Sequence, residues 1–291
     1  MRTIYPTLLY GLLTLLAACD LINPEENVPG YLYVTPFTLN TNPATEGSNT
    51  HKITEVWLTV NGEFLGAYAL PALIPVLGQG EQIITLDAGI RDNGVAATPE
   101  IYPFYESFVR TLTLRPNEVD TLRPVVRYRN ATRFAFIEPF ENINHIFREV
   151  RAGTDFNRIQ LTTEGALEGS SALIQLNRDN PAVEIATVRG FRDLITRGFL
   201  VYLEVDYKSD AIVLFGVQGF KNGVPAAPVF DPGFLPSATW NKIYFNLSAL
   251  VVAGDFDEHR IVLQTVLPNE NGVFTQNNAN VWLDNVKLVH F

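Results

Sequence analysis

Glu204 and Asp206 stand two apart in the run Tyr202-Leu203-Glu204-Val205-Asp206-Tyr207. Strand alternation sends both carboxylates to one face, together with Tyr202. On a concave face they would accept sugar hydroxyls, flanked by the Tyr202 ring. Two other readings compete: an ordinary outward polar face, and a glycosidase pair. Glycoside hydrolysis needs two carboxyls that flank the bond from opposing positions, which neighbours on one strand cannot do by themselves. Phe220, Phe230 and Phe234 lie in a Gly/Pro-rich segment, Gly219 to Pro236, of the kind that carries function on loops. They read as a sugar-stacking platform or as anchors that fold a long loop back on its own domain. Trp57, Trp240 and Trp282 could also stack on sugar rings, although a Trp in a strand usually packs into the core.

Nucleophilic and metal chemistry have little support. The sequence contains no G-x-S-x-G, no H-E-x-x-H and no G-x-x-x-x-G-K-[ST]. His51, His145, His259 and His290 are scattered without metal-ligand spacing. The acidic stretch Asp255-Phe256-Asp257-Glu258-His259 could touch a cation, but it lacks the glycine and distal Glu of a calcium hand. The reading is therefore of a protein that binds rather than catalyses, with no required cofactor.

The elements that would position these residues are strands. Short runs of β-branched and aromatic residues recur, closed by Asn-Gly, Asp-Pro or Pro. Asn61-Gly62 between Val56–Val60 and Phe64–Tyr68 predicts a type I′ hairpin, because both central residues tolerate φ > 0. Tyr31–Leu39, Gln82–Leu86, Phe108–Leu114 and Val119–Arg127 complete an antiparallel sandwich over 30–129. A second set follows at Arg133–Ile137, Ala172–Leu176, Val183–Val188, Leu200–Tyr207, Ala211–Gln218, Lys242–Leu247, Arg260–Leu267 and Val281–Val289. That number of strands over 130–291 is jelly-roll size. A short helical turn is expected at Asn142–Val150 or Phe191–Ile195. The fold class is all-β, two β-sandwich domains in tandem.

Composition narrows the partners. With 31 acidic against 21 basic side chains, nucleic acid is excluded, since its binding rests on neutralising phosphates. A hydrophobic content of 47% is too high for a disordered chain. The single cysteine cannot form an internal disulfide, a thiolate zinc site or an iron–sulfur cluster. Nine of the sixteen arginines fall within 110–158. They read as a basic face that meets an acidic partner or lipid headgroups, or as a solvated strand face balanced by Glu118, Asp120 and Glu138.

The position of the cysteine is informative. Arg2 and a mostly apolar stretch from Ile4 to Ala18 fit a secretory signal. The stretch falls short of the roughly 20 residues of a spanning helix. Leu16-Ala17-Ala18-Cys19 resembles the lipobox of bacterial lipoproteins. The resemblance implies cleavage after residue 18 and attachment of fatty-acyl (palmitate-type) chains to Cys19, enough for stable anchoring. Residues 19–29 would then form an extended, lipidated tether. Their acidic character is similar to export signals of surface lipoproteins in the Bacteroidota. The expected location is the outer membrane, with the surface and periplasmic faces both left open.

Two further resemblances cover the rest of the chain. Val60-Asn61-Gly62-Glu63-Phe64-Leu65-Gly66-Ala67-Tyr68-Ala69-Leu70-Pro71, Gly89-Ile90-Arg91-Asp92-Asn93-Gly94 and Tyr102-Pro103-Phe104-Tyr105 resemble an Ig-like domain of Bacteroidota lipoproteins. Glu168-Gly169-Ser170-Ser171, Tyr202–Tyr207, Trp240-Asn241-Lys242-Ile243-Tyr244-Phe245 and Trp282-Leu283-Asp284-Asn285-Val286 are similar to galactose-binding-like jelly rolls, the fold of many carbohydrate-binding modules. That likeness implies a structural calcium held by carboxylates from the first and last strands, here Glu138, Glu141 and Asp284. Asp284 serves equally well as a turn cap. The function so implied is non-catalytic binding of glycan or glycoprotein at the cell envelope. A structural or accessory subunit of a secretion, adhesion or uptake assembly is the alternative, and a glycan-acting hydrolase a weaker one.

Overall fold

The computed structural model describes residues 28–150, 159–195 and 198–291. Cys19, the expected signal peptide and the tether up to residue 27 lie outside the described residues. The first half carries β1 (Gly30–Val34), β2 (Thr38–Leu39), β3 (Glu55–Val60), β4 (Glu63–Ala69) and β5 (Ala72–Val76). It continues with β6 (Gly80–Arg91), β7 (Pro99–Ile101), β8 (Phe108–Leu114), β9 (Val119–Leu122) and β10 (Val125–Val126). The second half opens with β11 (Arg133–Glu138), β12 (Phe147–Glu149), β13 (Ile159–Thr162), β14 (Ser171–Asn177) and β15 (Ala182–Thr187). There follow β16 (Val201–Ser209), β17 (Val213–Lys221), β18 (Val224–Pro225), β19 (Val229–Phe234) and β20 (Ser237–Asn246). A short helix α1 (Ser248–Val252) precedes β21 (Glu258–Val266), β22 (Asn269–Glu270), β23 (Val273–Phe274) and β24 (Asn278–His290).

The chain is all-β and builds two sandwiches. In the first, β5-β1-β9 and its continuation β2-β10 form one layer, and β4-β3-β6, with β7 and β8 on the far edge of β6, form the other. Leu32, Val34, Leu58, Ile74, Ile84 and Leu86 alternate inward and are fully buried between the layers. The Asn61-Gly62 turn holds φ of 52° and 86°, as its hairpin requires. This sandwich is not wholly antiparallel as expected: β1 runs parallel to β9, and β2 to β10.

In the second sandwich one sheet runs β13-β14-β24-β16-β20, with β11 on the outer half of β24. The other runs β12-β15-β21-β17, with β18 and β19 both on β17. Leu203, Val205, Phe215, Phe245, Leu263, Val281 and Leu288 close the core between them. The expected helical turns do not form. Residues 147–149 are strand β12, and Phe191 bridges His259. The helical turn lies instead at Ser248–Val252, where Ser248 caps the Val201 backbone from a chain reversal between β20 and β21. The Gly219–Pro236 segment is likewise not an open loop, since the end of β17 with β18 and β19 occupies most of it.

Candidate functional site

Alternation does place Tyr202, Glu204 and Asp206 on one side of β16, facing out of the second sandwich. That side is not open. Aromatic side chains of the first sandwich cover it, and the core of the first sandwich runs on into Tyr202, Tyr244 and Val289. Glu204 is 0% exposed. Its Oε1 accepts hydrogen bonds from the Tyr102 hydroxyl at 2.7 Å and the Tyr128 hydroxyl at 2.8 Å. The Lys242 ammonium lies 3.4 Å from Glu204 Oε2 and 3.5 Å from Asp206 Oδ2. Thr50 Oγ1 donates to Asp206, and the Tyr202 hydroxyl accepts from Asn246 at 3.0 Å. Lys287 donates to the Ser48 carbonyl at 2.6 Å.

The electrostatics follow from this packing. Burial opposes the charge on Glu204, yet Lys242, Lys287 and the two tyrosine hydroxyls hold its carboxyl below the usual range. Burial likewise opposes the charge on Lys242, and Asp206 and Glu204 together push its ammonium above the ordinary lysine value. Lys287 is lowered to about 8, chiefly by burial. Two carboxylates and two ammoniums thus neutralise one another in a dry junction, where each ion requires its partners. Tyr202, Glu204 and Asp206 spend their polar atoms within the chain, so the sugar-binding role expected of them is not carried further. Periodicity could tell which way they point, but not that another sandwich sits on that face.

The expected calcium ligands are not gathered into a cage. Glu138 accepts the backbone N–H groups of Phe140 at 3.0 Å and Ile146 at 2.8 Å, and so fixes the loop after β11. Glu141 accepts from Ser170 N at 3.1 Å. Asp284 accepts from Ser171 Oγ at 2.7 Å and Asn285 N at 2.8 Å. Glu141 and Asp284 thus both meet the 168–171 turn, and Glu138 does not. Among the described residues no three carboxylate, imidazole or thiolate side chains converge on one point. In the acidic stretch 255–259 the cation is the chain's own: Lys221 lies 3.1 Å from Asp255 and 3.2 Å from Asp257.

The outer face of the β12-β15-β21-β17-β19 sheet is different. Register aligns Arg148, Ala186, Val262, Gly216 and Phe230 in one row across five strands. The next row is Glu184, Gln264, Leu214 and Gly233. At the centre of the first row Ala186 and Val262 are each 1% exposed and Gly216 has no side chain, so Arg148 and Phe230 flank a closed floor. Gly216 is needed there: a Cβ would come within 1.9 Å of the Val229 carbonyl oxygen, so only glycine lets β19 reach β17. Gln264 and Val266 are shared by two adjoining hollows. One, of about 450 Å³, is also lined by Asp210, Ile212, Leu214 and Glu270. The other, of about 310 Å³, is lined by Ala182 and Glu184.

At the opposite end of this face Arg260 stacks over the Phe220 ring, 4.8 Å from its centroid, and its Nε is buried without a partner among the described residues. Gln218 donates to the Ala226 carbonyl at 3.0 Å. Two of the three phenylalanines singled out in sequence, Phe220 and Phe230, therefore stand on this face. Phe234 does not: it is 2% exposed and stacks on Tyr207 in the core at 3.8 Å between centroids. Trp57 stacks on Phe64, and Trp282 lies under the Lys208 ammonium at 4.1 Å. Sequence reading missed Gln264, Glu184 and Leu214, because one amide, one acid and one aliphatic on separate strands carry no joint signature.

No known protein family and no curated protein matches the sequence. The structural neighbours are carbohydrate-binding β-sandwich domains. A xylan-binding domain from Paenibacillus barcinonensis is 12% identical, with a TM-score of 0.40, over 54% of this chain and 99% of that one. A carbohydrate-binding module of the β-sandwich superfamily is 12% identical at a TM-score of 0.38, over 91% of this chain and 99% of its own. A family 30 carbohydrate-binding module is 11% identical at 0.39, over 56% and 89%. At such identities and scores the likeness assigns neither a family nor a ligand.

Proposed function

We propose that the protein is a non-catalytic, lipid-anchored envelope protein that binds glycan on the outer face of the β12-β15-β21-β17-β19 sheet. The observation that carries this reading is the position of Gln264. Its side chain stands where two hollows meet, between the carboxylate of Glu184 and the aliphatic surface of Leu214 and Val266. Pyranose rings present C–H faces and hydroxyl edges, and a groove of aliphatic floor with amide and carboxylate rims meets both. Phe230, one row away, and the Arg260–Phe220 stack extend the same face for a chain of several sugars. The carboxylates of β16 are held within the junction and are free neither for sugars nor for hydrolysis.

Titration of the full chain against a panel of β-glucan, xylan and mannan oligosaccharides tests this reading. Saturable binding without release of new reducing ends is expected. Failure to bind across the panel would favour an accessory role in an envelope assembly, and turnover would favour a hydrolase. For the anchor, Cys19→Ser should move the protein from the membrane to the soluble fraction, and retention in the membrane would contradict lipidation at that residue.

A further inference from the structure

The arginines concentrated after residue 110 are not all spent on ion pairs. Arg115 is paired with Glu118 at 3.0 Å. Arg123 and Arg127 have no carboxylate partner among the described residues. Both are exposed, and Leu122, Pro124, Val126 and Tyr128 alternate with them into the core. They therefore point out of the β5-β1-β9 layer and its β2-β10 continuation. The ribbon is continuous, since Thr35 N bonds to Leu122 O and Thr38 N to Pro124 O.

The same face carries apolar and aromatic side chains. Register sets Tyr31 beside Pro75 and Val119, and Tyr33 beside Leu73 and Thr121. Leu73 is 58%, Leu77 70%, Val119 56% and Val125 51% exposed. From Val119 to Arg127 the strip extends about 26 Å at the rise of a strand. It grades from tyrosine and aliphatic side chains at one end to arginine at the other. No outward position on these strands is acidic, although the whole chain carries −10. Exposed Glu118, next to Val119, is paired with Arg115, and Glu46 and Glu106 share a hollow with Arg127 at the other end.

We infer that this face lies on a lipid bilayer and reads anionic phospholipid headgroups. Tyrosine, with an apolar ring and a polar tip, is suited to the membrane–water boundary. Arginine next to it meets phosphate with a planar fork of donors. The cationic strip in an acidic protein is complementary to a negative surface, and the rest of the molecule is repelled from it, which sets orientation. β1, the central strand of this layer, begins at Gly30, directly after the residues that lead back to the apolar stretch 4–18. The inference stands apart from glycan binding, which uses the other sandwich, and from acylation of Cys19.

The test uses the mature chain, residues 19–291, carrying Cys19→Ser, so that neither an acyl group nor the apolar stretch 4–18 contributes. Hydroxyl-radical footprinting is recorded with vesicles of phosphatidylcholine alone and with phosphatidylglycerol added. Oxidation of Tyr33, Leu73 and Leu77 should fall only with the anionic vesicles and recover in high salt. Arg123→Gln with Arg127→Gln should abolish that protection and weaken partitioning into anionic vesicles by about tenfold or more, at an unchanged melting temperature. Three outcomes would overturn the inference. They are equal protection by both vesicle types, protection that survives the double substitution, and protection by an acidic polypeptide but not by vesicles.

Discussion

The Tyr102 hydroxyl of the first sandwich donates a 2.7 Å hydrogen bond to the Glu204 carboxylate of the second, 102 residues further on. With Tyr128 and Lys242 it closes a junction in which no atom of Glu204 reaches solvent. Removing one member of a buried pair leaves the other charge uncompensated. Glu204→Ala should lower unfolding stability by about 3–5 kcal/mol, and Tyr102→Phe by about 1–2 kcal/mol. Urea denaturation of the variants measures both, and a change within error for Glu204→Ala would contradict the junction.

Asp284 supplies a pH signature. Burial pushes its carboxyl up to about 7, from an ordinary 3.8, and its cross-strand neighbour Asp206 adds to the rise against the bonds from Ser171 and Asn285. Between about 4 and 7 the folded chain holds a proton that the unfolded chain has released. This group's stabilisation is therefore full at low pH and is lost as pH rises through about 7. Asp284→Asn should remove that slope, so that its melting temperature gains on the wild type between about pH 4 and 7 and then runs parallel. A constant difference across this range would show that Asp284 titrates normally.

Gly216 couples fold to site. With a Cβ 1.9 Å from the Val229 carbonyl oxygen, Gly216→Ala must push β19 away from β17. Overpacking of this kind should cost about 1–3 kcal/mol and move Phe230 off the outer face. Thermal melting together with glycan titration checks this, and a variant as stable and as competent as the wild type would contradict the close approach.

How far the sequence could be read differed from residue to residue. The Asn61-Gly62 turn was legible because its backbone demand is local, and Phe108–Leu114 was read to its observed limits because β-branched residues alternate there without interruption. The shared side of Glu204 and Asp206 was legible for the same reason. What covers that side was not, since alternation fixes direction, and occupancy depends on Tyr102 and Tyr128 from another sandwich. β19 escaped because the irregular pairing between Leu214 and Gly216 breaks the alternation that marks a strand. The helix at Ser248–Val252 escaped because five residues ending in two valines carry no helical period. Gln264 became conspicuous only when β15, β21 and β17 were set side by side.

The central claim is that glycan lies over Gln264 and Phe230 and not over the β16 carboxylates. Calorimetric titration of one bound oligosaccharide against Gln264→Ala, Phe230→Ala and Glu204→Gln tests it most directly. The first two should each weaken binding by about tenfold, equivalent to about 1.4 kcal/mol, with unchanged melting temperatures. Glu204→Gln should lower the melting temperature and leave affinity intact wherever the chain is folded. Full affinity in both outer-face variants, or affinity lost in folded Glu204→Gln alone, would contradict the account.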